Sequence, residues 1–243
     1  MINVFLPVYN EEKIIKDHVL EVYEICKELK QDFKVFIVDD NSKDKTPKIC
    51  EELEKEYPNI KHLFYTNGPS RRENLGEAFL SIPDNELIVF MDIDLAADIS
   101  RTKDLVSYVQ NGYDIAIGSR YKGIKCVRGM RRLTISKVYN GTIQTMFNSK
   151  INDHQCGFKA FKSEKIKKVI RDMGYDKKLK RGWFWDAELL LRAQKEGYSI
   201  KEFPVFWEAG KQSSFNFERE LRIVKYLPNI YKKIGRIKNP KVS

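Results

Sequence analysis

Glycine-rich phosphate loops are missing from this chain of 243 residues. No G-x-G-x-x-G follows the first apolar run, and no G-x-x-x-x-G-K-[ST] occurs anywhere. That argues against a dinucleotide oxidoreductase and a P-loop ATPase, both of which seat phosphates on such loops. The 4 cysteines, Cys26, Cys50, Cys126 and Cys156, lie far apart and show no metal or redox spacing, so a reduced, cytoplasmic chain is expected. No uncharged apolar run approaches the roughly 20 residues needed to span a bilayer. Met1-Ile2-Asn3-Val4 begins directly in a strand pattern without a charged leader or cleavage site, so no signal peptide is expected. Acids are absent between Arg120 and Lys137, a stretch that holds Lys122, Lys125, Arg128, Arg131 and Arg132 as well.

What is present is an ordinary globular composition, 42% hydrophobic and 32% charged, with an uncommon net charge of +10. Such a charge predicts a polyanionic partner: nucleic acid, an anionic membrane surface or a phosphorylated substrate. The length suits one substantial core, or one core with a small appended lobe.

Strand patterns fall at residues 2–6, 33–38, 60–65, 87–91 and 113–117. Helices are expected between them, at 46–57, 74–80 and 102–110, and beyond them at 130–147 and 187–195. Asn10-Glu11-Glu12 is expected to open the first helix, as a cap followed by acids favourable to its dipole. The βαβα alternation predicts a mostly parallel sheet covered on both faces, with ligands outside the carboxyl ends of its strands. Those ends carry Pro7-Val8-Tyr9-Asn10, Asp39-Asp40-Asn41-Ser42, Asp92-Ile93-Asp94 and Gly118-Ser119-Arg120.

Asp92 and Asp94 end an apolar run at i, i+2 spacing, so they point to one side if strand geometry persists. Two carboxylates there suit a hard divalent cation shared with a substrate phosphate, although a solvated turn would look the same. Asp39 and Asp40 could equally be a helix-capping turn, and Tyr9 a plain surface aromatic. His154 is expected to face solvent, as an isolated loop histidine.

Taken together, Pro7-Val8-Tyr9-Asn10-Glu11, Val38-Asp39-Asp40-Asn41-Ser42, Met91-Asp92-Ile93-Asp94 and Gly118-Ser119-Arg120-Tyr121 resemble the successive motifs of family 2 glycosyltransferases of the GT-A fold. Asp153-x-Gln155-Cys156-Gly157-Phe158-Lys159, Trp185-Asp186-Ala187-Glu188 and Glu202-Phe203-Pro204-Val205 with Trp207 continue the match over about 1–210. Within the family the chain is similar to the polyprenyl-phosphate branch, the dolichyl-phosphate β-glucosyltransferases and mannose-phosphate-dolichol synthases. Ala96 stands where the mannosyl branch usually has Gln, which favours the glucosyl branch.

The resemblance implies a GT-A domain at residues 1–212 and the following roles. Pro7, Tyr9, Glu11, Asp39 and Asp40 bind the nucleoside of a nucleotide sugar, with Asp40 or Asp39 accepting from a pyrimidine ring N–H. Asp92 and Asp94 hold Mg²⁺ or Mn²⁺ against the diphosphate. Asp153, Gln155 and Lys159 lie beside the donor sugar. Arg120, Arg132 and Ser136 grip a lipid-linked acceptor phosphate. Such a monoester is mostly dianionic at neutral pH, with its second pKa near ~6. It needs permanently charged clamps and no strong base. A sugar-hydroxyl acceptor would instead require a carboxylate base, for which Asp186 is the choice. Asp186 would otherwise cap the helix at 187–195.

Residues 213–243 read as a basic amphipathic helical tail. Ile223, Val224, Leu227, Ile230, Tyr231 and Ile234 fall at helical spacing among Arg219, Arg222, Lys225, Lys232, Lys233 and Arg236, with Pro228 expected to split the helix in two. The tail either docks on the core or lies on anionic lipid at the cytoplasmic face, alone or with a membrane-protein partner. The expectation is therefore inverting transfer of a sugar, glucose or a relative, from UDP to a polyprenyl phosphate. Two rivals remain: a same-fold transferase acting on a polysaccharide hydroxyl, and a basic nucleic-acid-binding protein. The second is disfavoured because no aromatics interleave the basic run.

Overall fold

The computed structural model describes residues 1–122, 126–127, 130–178, 181–208 and 217–243, with backbone alone at 126–127, 130–132 and 217–225. Lys125 and Arg128, and the side chains of Arg131, Arg132, Arg219, Arg222, Ile223, Val224 and Lys225, therefore lie outside the described residues.

In chain order the elements are β1 (Ile2–Val8), α1 (Ile15–Glu28), β2 (Phe33–Asp39), α2 (Thr46–Glu56), β3 (Ile60–Phe64), α3 (Glu73–Leu80) and β4 (Leu87–Met91). There follow α4 (Thr102–Gln110), β5 (Ile115–Ser119), β6 (Cys126–Val127), α5 (Met130–Phe147), β7 (Phe158–Lys162) and α6 (Ser163–Met173). The chain closes with α7 (Trp185–Lys195), β8 (Ile200–Pro204), β9 (Trp207–Glu208) and α8 (Phe217–Ile234). Seven strands form one sheet in the order β3-β2-β1-β4-β7-β5-β8, and β6 and β9 form a second small sheet. The expected parallel, doubly covered α/β sheet is observed.

Alternation along the buried strands builds two cores. Val4, Leu6, Val89 and Met91 face α1, α2 and α4, while Phe5, Ile88 and Phe90 face α3, α6 and α7. One strand departs from the expected order. β7 runs antiparallel between β4 and β5, with Met91 opposite Phe158 and Ile117 opposite Lys159. This carries the Asp153–Gly157 segment to the mouth of β4.

Two local expectations are corrected. Helix α1 begins at Ile15, because Asn10 takes a positive φ of 57° and residues 10–12 instead cross-link to the β2–α2 loop. Pro228 lies inside a continuous α8. The proline is exposed, so water can satisfy the carbonyl it leaves without a donor. From Leu227 onward the tail is docked: Leu227, Ile230, Ile234 and Ile237 pack on Ile143 and Phe147 of α5 and Phe184, Ala187 and Leu191. The last residues then extend the β8 edge, where Val242 bridges to Ile200. Among the described residues, no helix is long and apolar enough to cross a membrane.

Candidate active site

The paired acids at the end of β4 converge through a turn and not through strand alternation. β4 stops at Met91, the Leu95 amide donates to the Asp92 carbonyl at 3.1 Å, and Leu95 adopts φ 46°. Asp92 is pressed against β7. Its amide donates to the Gly157 carbonyl at 2.9 Å, and a Cβ at Gly157 would lie 1.8 Å from Asp92 Oδ2. Asp94 is open to solvent, with Oδ1 accepting from the Ala96 amide at 3.2 Å. Partial desolvation, then the Asp92 charge, push the Asp94 carboxyl above its ordinary range. β9 closes one wall, because Glu208 donates its amide to the Ala96 carbonyl at 2.9 Å and Trp207 bridges to Ala97. The result is a narrow cleft lined by Asp92, Asp94, Leu95, Gly157 and Trp207. Oxygen-only donors at an open turn, one raised by desolvation and then by its neighbour's charge, fit a hard cation such as Mg²⁺ or Mn²⁺.

Behind the cleft runs a ladder of alternating charge. Arg72 Nη2 donates to Asp92 Oδ1 at 2.6 Å and Arg72 Nε to Asp186 Oδ2 at 3.2 Å. Lys159 Nζ donates to the other oxygen of Asp186 at 2.8 Å, and also to the Cys156 carbonyl. Arg72 lies over the Phe90 ring, 4.7 Å from its centroid. Burial would raise the Asp186 carboxyl, but Lys159 and Arg72 outweigh it and hold it below the ordinary range. Asp186 thus sits inside the first turn of α7, fully engaged, and is not its cap. Lys159 is wholly buried and faces this ladder instead of the open cleft.

Arg72 belongs to none of the sequence motifs. Its one signal in the sequence is the pair Arg71-Arg72 directly before Glu73-Asn74-Leu75-Gly76.

At the β1 and β2 edge, Pro7 lies in β1 and Tyr9 projects with 41% of its surface exposed. The Glu11 amide donates to Thr46 Oγ1 at 2.8 Å. Desolvation, then the charge of Asp94, raise the Glu11 carboxyl, which ties this edge electrostatically to the acidic turn. Asp39 points inward and is fully buried, with Oδ1 accepting from the Ser42 amide at 2.8 Å, as a capping turn does. Asp40 is saturated. It accepts from the Ser70 amide at 2.7 Å, Ser70 Oγ at 2.8 Å, Asn74 Nδ2 at 2.6 Å and the Arg71 amide at 3.3 Å. Asp40 is fully engaged and the second oxygen of Asp39 is sealed from solvent, so neither acid presents an accessible acceptor in this conformation. Asp40 holds the loop that presents Arg72.

Arg120 and Asp153, expected to meet different substrates, meet each other. The guanidinium forks onto the carboxylate at 2.7 and 2.6 Å, and the Arg120 amide adds a third bond at 3.0 Å. Both side chains are buried, and Arg120 lies between the Tyr121 and Trp207 rings, 5.5 Å from each centroid. Burial opposes the Asp153 charge, but Arg120 prevails and lowers the carboxyl. Ser136 is buried one residue beyond, its hydroxyl bonded to Tyr121 OH at 2.5 Å. Gln155 is half-buried, its amide donating to Asp153 at 3.3 Å. Arg132 stands one turn before Ser136 on α5, and its side chain lies outside the described residues.

His154 corrects the solvent-facing expectation. It is fully buried, with Nδ1 2.8 Å from Asn140 Oδ1 and Nε2 2.9 Å from Ser149 Oγ. These two polar partners allow an imidazole to be enclosed, and burial lowers its pKa to about 3.

This sheet order, with an acid pair at the mouth of β4 and an antiparallel β7 alongside, defines a glycosyltransferase domain of the GT-A type. A solved structure of the same architecture is glucosyl-3-phosphoglycerate synthase from Mycobacterium tuberculosis, in complex with Mn²⁺, UDP and phosphoglyceric acid. It superposes at a TM-score of 0.69 with 15% identity, over 98% of this chain and 80% of that one. The chain belongs to glycosyl transferase family 2, whose pattern matches residues 3–170. It is 36% identical to glycosyltransferase AglD of Haloferax volcanii over 224 residues, covering 90% of this chain. It is 31% identical to the dolichyl-phosphate beta-glucosyltransferase ALG5A of Trichomonas vaginalis over 221 residues, covering 85% of this chain. The matches span only 35% and 65% of those two relatives.

Proposed function

We propose that this domain transfers a sugar, glucose or a near relative, from UDP to a polyprenyl phosphate with inversion at C1. The observation that carries the phosphate acceptor over a hydroxyl acceptor is the clamping of Asp186 between Lys159 and Arg72. A carboxylate held below its ordinary range by two buried cations is a poor general base. A phosphate monoester arrives as an anion and needs no base. The relative named as a dolichyl-phosphate glucosyltransferase supports the same choice.

In this reading Asp92 and Asp94 would hold Mg²⁺ or Mn²⁺, which would neutralise charge developing on the departing diphosphate. Arg72 fixes the Asp92 carboxylate in the turn. Tyr9 offers a face to the base, and Glu11 lies beside the nucleoside. The acceptor oxygen attacks C1 from the face opposite the diphosphate, so one C–O bond forms as the other breaks.

Arg132 and Ser136 are assigned to the acceptor phosphate. Arg120 supports them through Tyr121 while its own fork stays on Asp153. The lipid end of the acceptor calls for a membrane surface. The basic residues of segment 213–243 are assigned that contact at the cytoplasmic face, alone or with a membrane-protein partner.

Incubation of the chain with radiolabelled UDP-glucose, polyprenyl phosphate and Mn²⁺ should yield chloroform-soluble label that EDTA abolishes. Label recovered only in aqueous saccharide would replace the phosphate acceptor with a hydroxyl one. Label formed equally in EDTA would remove the cation.

A further inference from the structure

Away from the cleft, three side chains of metal-binding chemistry converge where nothing in the proposed reaction requires them. Asp39 ends β2, Cys50 lies on α2 and His62 on the edge strand β3. One ligand atom from each lies within 4.8 Å of the others. Asp39 and Cys50 are fully buried, and the His62 side chain is 6% exposed. Asp39 Oδ2 and His62 Nε2 stand 3.5 Å apart, yet each is buried without a hydrogen-bond partner. An unsatisfied buried polar atom costs about 1–3 kcal/mol, so two facing each other require a common explanation.

We infer that Asp39, Cys50 and His62 form a second metal site, distinct from Asp92 and Asp94, for a thiophilic divalent cation of the zinc type. The donor set is one oxygen, one sulfur and one imidazole nitrogen, which suits zinc and not magnesium. Zinc bonds of about 2.0–2.1 Å to N and O place tetrahedral ligands about 3.4 Å apart, close to the observed pair. Binding balances in charge: the Cys50 thiol would release its proton to solvent, the Asp39 carboxylate and the Cys50 thiolate would supply two negative charges, and His62 would supply the Nε2 lone pair. Two anionic ligands and one neutral ligand leave a buried 2+ ion compensated. The ion would pin the β2 end to α2 and β3. It would thereby stiffen the loop whose Ser42 and Thr46 hydroxyls accept from the Asn10 and Glu11 amides at 2.9 and 2.8 Å.

The test is a Co²⁺ titration of the metal-stripped full chain, followed by absorption. One equivalent should give a near-ultraviolet thiolate-to-cobalt band that Zn²⁺ displaces, and Zn²⁺ should raise the melting temperature. The band should vanish in Cys50→Ser, weaken at least tenfold in affinity in His62→Gln, and persist in Asp92→Asn. Circular dichroism of each variant establishes that it is folded. No band in the folded protein, a band surviving Cys50→Ser, or its loss in Asp92→Asn would each overturn the site. Should Cys50→Ser not fold, unchanged cobalt affinity in folded His62→Gln overturns it equally.

Discussion

Replacing Arg72 by methionine removes the guanidinium that joins Asp92 to Asp186 while keeping an apolar stem over the Phe90 ring. Removing one partner of a buried ion pair costs about 3–5 kcal/mol. Two features reduce that figure. Asp186 keeps Lys159 at 2.8 Å, and the Asp92 side chain is 37% exposed, so water recovers part of its hydration. A net loss of about 2–3 kcal/mol is expected, or about 5–10 °C in melting temperature for a domain of this size. Turnover should fall further, about 100-fold, because Asp92 loses its fixed orientation in the turn. Binding of free Mn²⁺ should move the other way. A fixed positive charge 2.6 Å from Asp92 Oδ1 opposes a second cation, so its removal should leave Mn²⁺ affinity unchanged or raise it. Urea denaturation, initial rates with UDP-glucose and a paramagnetic Mn²⁺ titration read the three quantities. A variant within 0.5 kcal/mol of the parent, taken as about the noise of a surface substitution, and with turnover within about twofold would refute the ladder as an organiser of the site.

Four further outcomes are expected. Asp94→Ala should abolish turnover with Mn²⁺ or Mg²⁺, and full activity would remove metal assistance from the reading. Gly157→Ala introduces a Cβ 1.8 Å from Asp92 Oδ2 and should lower kcat about 100-fold by displacing that carboxylate; a kcat within about twofold of the parent would show that the turn can yield. Arg132→Ala should raise KM for polyprenyl phosphate and leave UDP binding nearly intact, and equal loss of both would place that arginine elsewhere. His154 is neutral when folded, with a pKa lowered from 6.5 to about 3, so below pH 6.5 the unfolded chain takes up a proton that the folded chain refuses. Its share of stability is intact above that pH and declines by about 1.4 kcal/mol per pH unit below it, or about 2 kcal/mol by pH 5. The difference in unfolding free energy between the parent and His154→Asn should shrink by that amount from pH 7 to pH 5, and a difference constant with pH would contradict the buried neutral ring.

The periodic parts of this fold were legible because burial writes them into the sequence. The run Leu87–Met91 is apolar on both faces because cores lie above and below it. β7 was overlooked for the converse reason. Phe158–Lys162 carries two lysines in five residues, and Lys159 is tolerated at full burial only because Asp186 and the Cys156 carbonyl receive its ammonium. The acid pair was legible as chemistry, but its partner Arg72 was not. The two are joined only after α3 docks and Asp40 gathers Ser70, Arg71 and Asn74 around it. Arg120 and Asp153 each carried a motif that pointed to substrate. Their pairing depends on β5 lying beside β7, a neighbourhood that no local spacing encodes.

The order of charges behind the cleft bears on what the site should hold. Lys159, Asp186, Arg72 and Asp92 alternate in sign, so Asp186 lies between two cations, whereas Asp92 has one cation behind it and Asp94 ahead. Negative charge is therefore left uncompensated only at the open end of the ladder. Because Arg72 already offsets much of the Asp92 charge, the turn is a weak trap for a free divalent ion. In the proposed reaction a nucleoside diphosphate would bring its own negative charge, and a divalent cation held at Asp92 and Asp94 would restore the balance that two carboxylates and one arginine leave incomplete. On this account cation and nucleotide bind with positive coupling, each raising the affinity of the other by the same factor, as linkage requires. The Arg72→Met variant, with less positive charge opposing free Mn²⁺, should show that coupling reduced.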